Sequence, residues 1–288
     1  MTTWTHTSDD SDPSNPNWVR SSISPIANSY SLEFDGSEYV TFGTGGNYLY
    51  VGWFNYSDSY TVSAWVNVTS LSAERMIIAR EEKTEFGSNN KGWHLSVTTD
   101  GNVDFFLGAN STTNKWKIRS SATLSVDTWY HILATHTYSD STHSGTININ
   151  GVEGHSTVLD ALATSNPLQN IALQIGVRED TDLEFVGKID EIAIWKDHAL
   201  SEADALALYN NGTPTDLLLS SSYDSSGVAL AGNEDGYWRF EEGTGTSVAS
   251  SVPASIFPTG TITSGQGTEW VTDIPEVLTT WNTSYGGV

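Results

Sequence analysis

The strongest constraint on this chain is its rhythm. Apolar and polar residues alternate in short runs, and the runs stop at turn dipeptides. Tyr60–Val68 puts Tyr60, Val62, Ala64, Val66 and Val68 on one side and Thr61, Ser63, Trp65 and Asn67 on the other, the period of a strand rather than a helix. Trp93–Val97 and Val103–Leu107 alternate likewise around Asp100-Gly101, and a third pair of runs flanks Asn150-Gly151. Asp35-Gly36 divides Tyr30–Phe34 from Ser37–Phe42 in the same way. Asp-Gly and Asn-Gly supply the positive-φ residues that a tight hairpin needs. Asp127–His136 and Ile171–Val177 add further short strands. Short strands joined by polar turns predict an all-β sandwich or barrel rather than βαβ units.

One segment departs from this pattern. Lys188–Trp195 alternates as a strand, and Ser201 then reads as a helix N-cap, with Asp204 as its capping-box partner and Glu202 favoured by the helix dipole. Ala203, Leu206, Ala207 and Asn210 share a helical face, Asn211-Gly212 supplies a left-handed stop, and Pro214 prevents continuation. Two turns of helix are marginal alone and need tertiary packing. Within the strand, Asp190 and Glu191 are adjacent, so strict alternation puts them on opposite faces. One is expected to face solvent and the other to bond backbone or a neighbouring loop.

Composition narrows the function classes. There are 35 acidic against 12 basic residues, a formal charge of −23, and such a surface repels phosphate backbones and anionic membranes. No nucleic-acid partner is expected. The 11 Trp, 12 Tyr and 9 Phe are too many aromatics for a disordered chain. With no cysteine, disulfide and thiolate chemistry are excluded. No stretch approaches the roughly 20 apolar residues of a membrane helix, so membrane insertion is not expected, and residues 1–18 lack the basic and apolar regions of a secretory leader. The seven histidines form no ligand spacing: His131 and His136 are five apart on one strand and face opposite ways. Asn-x-Ser/Thr triplets at Asn55, Asn67, Asn110, Asn211 and Asn282 are as frequent as chance allows in so Asn- and Ser-rich a chain.

In order from about Ser31 to Gly212, YSLEFDGSEYVTF, YTVSAWVNV, GWHLSVTTDGNVDFFLG, DTWYHILATHTYSDSTHSGTININGVEG, LQIGVRED and FVGKIDEIAIWKDHALSEADALALYNNG resemble successive strands of the concanavalin A-like, laminin-G-like jelly roll. The resemblance implies an antiparallel two-sheet jelly-roll sandwich with one short helix at the sheet edge and extended terminal segments. The later words GYWRFEEGTGTSVASS and GTITSGQGTEWVTDIP resemble the segment that usually opens such domains. Because they carry Trp238, Phe240, Ile262 and Trp270 in alternating runs, they are expected to pack on the same sandwich. The chain is thus divided into a polar arm (1–28), the sandwich (29–214) and a C-terminal segment (215–288).

YNNGTPTDL followed by GYWRFEEGTGT also resembles laminin-G-like structural proteins of tailed bacteriophages. That implies a non-enzymatic virion protein, a capsid decoration or tail-associated subunit assembled in the host cytoplasm without a leader. Its partners would be other virion or assembly proteins, further copies of itself, and a cell-surface glycan. The alternative is a carbohydrate-binding module of an exported, extracellular protein; the third reading is a glucanase-like hydrolase. Retaining glucanases of this sandwich class use a Glu-x-Asp-x-x-Glu strand, and Glu33, Asp35 and Glu38 match it. The Asp35-Gly36 turn, however, is expected to separate their carboxyls, which must lie about 5 Å apart, so no catalytic residue is assigned. The related pentraxins imply calcium: Glu179 and Asp180 stand before FVGKI and Asn89 and Asn90 before GWHL, oxygen donors of the type calcium prefers. No other cofactor is expected. Tyr48, Tyr50, Trp53, Phe54 and Tyr56 form an aromatic cluster suited to protein contact or sugar stacking.

Overall fold

The structure, a computed structural model, describes residues 2–6, 18–22, 26–43, 57–82, 91–109, 115–160, 172–178, 183–219, 230, 235–253, 255–265, 267 and 269–276. In chain order, a hairpin of β1 (Thr2–His6) and β2 (Trp18–Ser22) precedes β3 (Ser31–Phe34), β4 (Tyr39–Phe42), β5 (Tyr60–Val68), β6 (Arg75–Glu82), β7 (Lys91–Val97), β8 (Asn102–Ala109) and β9 (Lys115–Thr123). Then come β10 (Trp129–Ser139), β11 (Thr142–Ser144), β12 (Ile147–Ile149), β13 (Val152–Glu153), β14 (His155–Asp160), β15 (Leu173–Ile175) and β16 (Gly187–Lys196). Helix α1 (Glu202–Tyr209) is followed by β17 (Gly236–Trp238), β18 (Ser247–Val248), β19 (Gly260–Thr263) and β20 (Trp270–Val271).

Two antiparallel sheets make the sandwich. The first runs β13-β12-β10-β5-β16-β3-β20, with β11 beside β10 and β17 beside β16; the second runs β14-β9-β8-β7-β6-β15-β4-β19-β18. The period-two pattern decides which residues meet between them. Tyr60, Val62, Ala64, Val66 and Val68 of β5 join Leu95, Val97, Phe105, Leu107, Trp116 and Ile118 of the second sheet in one buried core. The antiparallel jelly-roll sandwich expected from the sequence is what forms.

Two turn dipeptides behave as expected and one does not. Asn150 (φ 53°) and Gly151 (φ 75°) close the β12–β13 hairpin, and Gly101 (φ 83°) closes β7–β8. Asp35-Gly36 is also a turn, with Gly36 at φ 100°, but β3 and β4 do not pair. β3 bonds β16 and β20 in the first sheet, and β4 bonds β15 and β19 in the second. The dipeptide is a crossing between sheets, not a hairpin.

Residues 236–271 supply strands to both sheets: β17 and β20 to the first, β18 and β19 to the second. Trp238, Phe240, Val248, Phe257, Ile262 and Trp270 all enter the main core. Trp238 packs on Phe42 of the opposite sheet at 4.8 Å and edge-on to Phe257 at 5.0 Å.

The helix has the predicted N-terminus: Ser201 and Asp204 form a reciprocal capping box. Its stop comes one residue early, at Asn210 in the left-handed region. Its buried residues are Asp204, Ala205 and Leu208, while Leu206 is 56% exposed. Ala205 and Leu208 pack with Leu133, Ala193 and Trp195 of the first sheet and with Leu217 and Tyr237. The helix therefore covers the outer face of that sheet rather than an edge. This is why both faces of β5 are buried, Thr61, Ser63, Trp65 and Asn67 included.

Candidate functional site

The most unusual chemistry lies where β16 changes partners. On one side β16 pairs with β5 throughout. On the other it pairs with β3 at Gly187–Ile189 and with β17 at Ile192–Ile194. At that seam the register slips: Asp190 lies opposite Trp65 and Ala193 opposite Ser63, three residues against two. An extra residue of this kind is a β-bulge, and Glu191 takes the left-handed backbone, φ 49°, that accommodates it. Ile189 and Ile192 both enter the main core. The two residues between them are buried together, Asp190 fully and Glu191 at 2% exposure. The expected division of the acidic pair between opposite faces, with one acid in solvent, is thus overturned by the bulge.

Each carboxylate has its own partners. Asn28 Nδ2 donates to Asp190 Oδ2 at 2.8 Å, and the Glu191 N–H donates to Asp190 Oδ1 at 2.9 Å. The Tyr237 hydroxyl donates to Glu191 Oε2, and Arg239 Nε donates to Oε1 at 3.3 Å. Arg239 also bonds the Ala27 carbonyl. Glu241 Oε1 accepts the N–H groups of Ser29 at 2.8 Å and Tyr30 at 3.2 Å. Burial pushes Glu191 up to about 7 against the pull of Arg239 and Tyr237. Burial, then repulsion from Glu191, raises Asp190 well above the usual carboxylate range. Burial and the neighbouring Glu191 raise the Tyr237 phenol as well.

Behind the bulge lies a cavity of about 10 Å³, the size of one water. Ser63, His131, Glu191, Leu208 and Thr215 are among its lining residues. His131 Nε2 is 2.8 Å from Ser63 Oγ, and burial lowers the ring to about 3, so the imidazole is neutral. His136, predicted on the opposite face of β10, does face the main core: its ring meets Tyr60 at 4.8 Å and Trp116 at 5.1 Å.

The second sheet has a polar outer face of a different kind. Arg119 Nε and Nη2 bond the Asp104 carboxylate at 2.6 and 2.7 Å, and Lys117 Nζ adds a bond at 2.8 Å. Burial pushes this carboxyl up, but the hydrogen bonds from Arg119 and Lys117 outweigh it and hold it below the ordinary aspartate value. On the neighbouring strands His94 Nδ1 bonds Glu81, Arg178 lies 3.6 Å from the same carboxylate, and the His94 ring stacks on Phe106 at 4.8 Å.

The residues singled out in the sequence fall in several places. Glu33 is on β3, 3.9 Å from Lys188. Asp35 and Glu38 fold into the crossing loop, where Glu38 Oε2 accepts the Asp35 N–H at 3.0 Å and Ser37 Oγ donates to both side chains. Hydrogen bonds from Ser37 and Glu38 lower the Asp35 carboxyl. Asn89, Asn90, Glu179 and Asp180, and the aromatics Tyr48, Tyr50, Trp53, Phe54 and Tyr56, lie outside the described residues. Among the described residues no three His, Asp or Glu side chains are grouped to hold a metal ion, and no helix is long and apolar enough to cross a membrane.

The sequence reading missed Asn28, Tyr237 and Arg239 as partners of the acidic pair. One signal was present: Ile189 and Ile192 are an odd three residues apart, so both reach one core only through a bulge. It also missed the Asp104 cluster, although Lys115, Lys117 and Arg119 repeat every second residue in a chain with only 12 bases.

Residues 34–205 match the concanavalin A-like lectin/glucanases superfamily. The chain belongs to this superfamily. Its lectin-like sandwich is similar to a candidate carbohydrate-binding protein from Bacteroides ovatus, with a TM-score of 0.51 and 18% identity over 88% of this chain and 63% of that one. The chain therefore spans less than two thirds of that protein's length. The CBM40 of the Ruminococcus gnavus IT-sialidase, bound to α2,3-sialyllactose, gives a TM-score of 0.47 at 12% identity, over 64% of this chain and 99% of the module. A heptameric SAP-like pentraxin from Limulus polyphemus gives 0.43 at 14% identity, over 63% of this chain and 82% of the pentraxin. At these identities the likeness is one of fold. No curated protein matches the sequence.

Proposed function

We propose that the chain is a non-catalytic recognition module, carried on a virion as a capsid decoration or tail-associated subunit. The observation that supports the non-catalytic reading is the crossing at Gly36. It breaks the one glucanase-like string, leaving Glu33 on the first sheet and folding Asp35 and Glu38 into a loop that bonds to itself. Retaining hydrolysis needs two carboxyls about 5 Å apart across one substrate. The other acidic pair, Asp190 and Glu191, is buried and bonded within the fold. The virion assignment rests on the phage-like words of the C-terminal half and on a net charge of −23, which keeps a displayed subunit soluble.

The contact residues of this reading are Tyr48, Tyr50, Trp53, Phe54 and Tyr56, and the partner is another virion protein or a second copy. Co-sedimentation with particles, and oligomers in light scattering that Trp53→Ala weakens, are the expected results. A glycan-array signal without particle association would favour the exported carbohydrate-binding module, the reading suggested by the name of the Bacteroides ovatus neighbour. Reducing-sugar release that disappears in Glu33→Gln would overturn both.

Calcium belongs to the same proposal, at Asn89, Asn90, Glu179 and Asp180. Carboxylates and side-chain amides are the oxygen donors that calcium takes, and both segments carry them. Calorimetry should show calcium heat that Asp180→Ala removes; no heat, with both proteins melting alike with and without calcium, would end the assignment.

A further inference from the structure

The acidic bulge is the junction between two distant parts of the chain. Residues 27–30 reach it through Asn28 on Asp190, the Ala27 carbonyl on Arg239, and the Ser29 and Tyr30 N–H groups on Glu241. Residues 237–241 reach it through Tyr237 and Arg239 on Glu191. No backbone ladder joins β3 to β17 directly; both are bonded to β16, on either side of the bulge. The side-chain network is what ties them together.

The charges facing the pair do not balance. Asp190 and Glu191 come from β16, Tyr237 from β17, and Arg239 and Glu241 from the loop after it; Asp216 acts on Tyr237 from the segment after the helix. β5 contributes the neutral Ser63 and Trp65, and β10 the neutral His131. Arg239 is thus the one cation among these groups, set against four carboxyls, two of them buried. Two adjacent buried carboxylates, with one guanidinium that bonds Glu191 alone, cannot both ionise without a large penalty. They titrate as a pair.

We propose that the Asp190–Glu191 bulge is a proton-held clasp, in which a proton retained by the pair joins residues 27–30 to residues 237–241 and its loss as the pH rises loosens that junction. The sign follows from linkage. Glu191 is raised from its ordinary 4.5 to about 7, so the clasp is tightest below the ordinary value and weakens as the pH climbs through 7. Asp190, raised as well, acts in the same direction.

Hydrogen exchange of the full chain between pH 4.5 and 8 tests this. Protection of peptides covering 27–30 and 237–241, relative to the β7–β8 hairpin, should fall by about tenfold per pH unit between roughly pH 5 and 7. In Glu191→Gln the same peptides should show no fall beyond that of the hairpin. Equal pH dependence of junction and hairpin in the wild type, or an unchanged fall in Glu191→Gln, overturns the clasp. Should Glu191→Gln fail to fold, infrared spectroscopy of the wild type decides. A protonated-carboxyl stretch persisting at pH 6, where exposed acids are ionised, is expected, and its absence rejects the proposal.

Discussion

Both sheets bury carboxylates on their outer faces, but they neutralise them differently. On the second sheet, Asp104 meets two cations and three charged hydrogen bonds. On the first, Glu191 and Glu241 share Arg239, while Asp190 is bonded by the Asn28 amide and the Glu191 N–H. Burial pushes Asp104, Asp190 and Glu191 upward, and of these three only Asp104 has partners that win. Surface exposure does not separate them, since Asp104 and Glu191 are both 2% exposed, though the acidic pair lies deeper among protein atoms. The ratio of cations to carboxylates sets the sign of the shift, and with it the pH at which each face is most stable.

The largest test of that contrast is Arg239→Met. Removing one partner of a buried ion pair costs about 3–5 kcal/mol, so urea denaturation at pH 7 should show a loss of that order. At pH 5 the loss should shrink, because the pair then keeps its proton and needs the guanidinium less. An equal loss at both pH values would show that Arg239 acts by packing, and the comparison would break. A smaller effect is expected from Arg119→Met, about 1–3 kcal/mol, because Lys117 still donates to Asp104. Its pH dependence runs by the opposite rule. The Asp104 carboxyl is depressed, so its stabilisation is present above the ordinary aspartate value and lost as the pH falls through its folded value. Denaturation of this variant and wild type should therefore converge as the pH falls below the ordinary aspartate range.

The same contrast shows what could be read from the chain beforehand. The sandwich was legible because alternation fixes which side of a strand faces the core, and β5 divides as read: its Tyr60-to-Val68 face is in the core. The capping box at Ser201 and the Asn150-Gly151 turn depend on neighbours in sequence and were legible for that reason. Asp35-Gly36 was misread because a positive-φ turn does not say whether the next strand pairs with the last or crosses to the other sheet. The acidic pair was misread because alternation assumes one residue per step, and Glu191 is the extra residue. Its partners Asn28 and Arg239 lie 162 residues before Asp190 and 48 residues after Glu191. No local pattern carries such contacts; they follow from β16 bonding β3 and β17 in turn.

Asp273 gives the smallest and sharpest test, because it has a cation without burial. Lys188 Nζ lies 2.8 Å from Asp273 Oδ2, and Trp129 Nε1 donates to Oδ1 at 3.0 Å, yet the Asp273 side chain is 50% exposed. Burial is the largest single influence and raises this carboxyl, but the bonds from Lys188 and Trp129 together outweigh it, so it shifts downward like Asp104. Water already solvates half of this carboxylate, however, so losing the pair forfeits little. Asp273→Asn should cost less than about 1 kcal/mol and less still in high salt. If thermal melts instead show a loss as large as that of Arg119→Met, cation count alone would rank these sites. If the loss is small, cations decide the direction of a shift and burial decides how much stability rides on it.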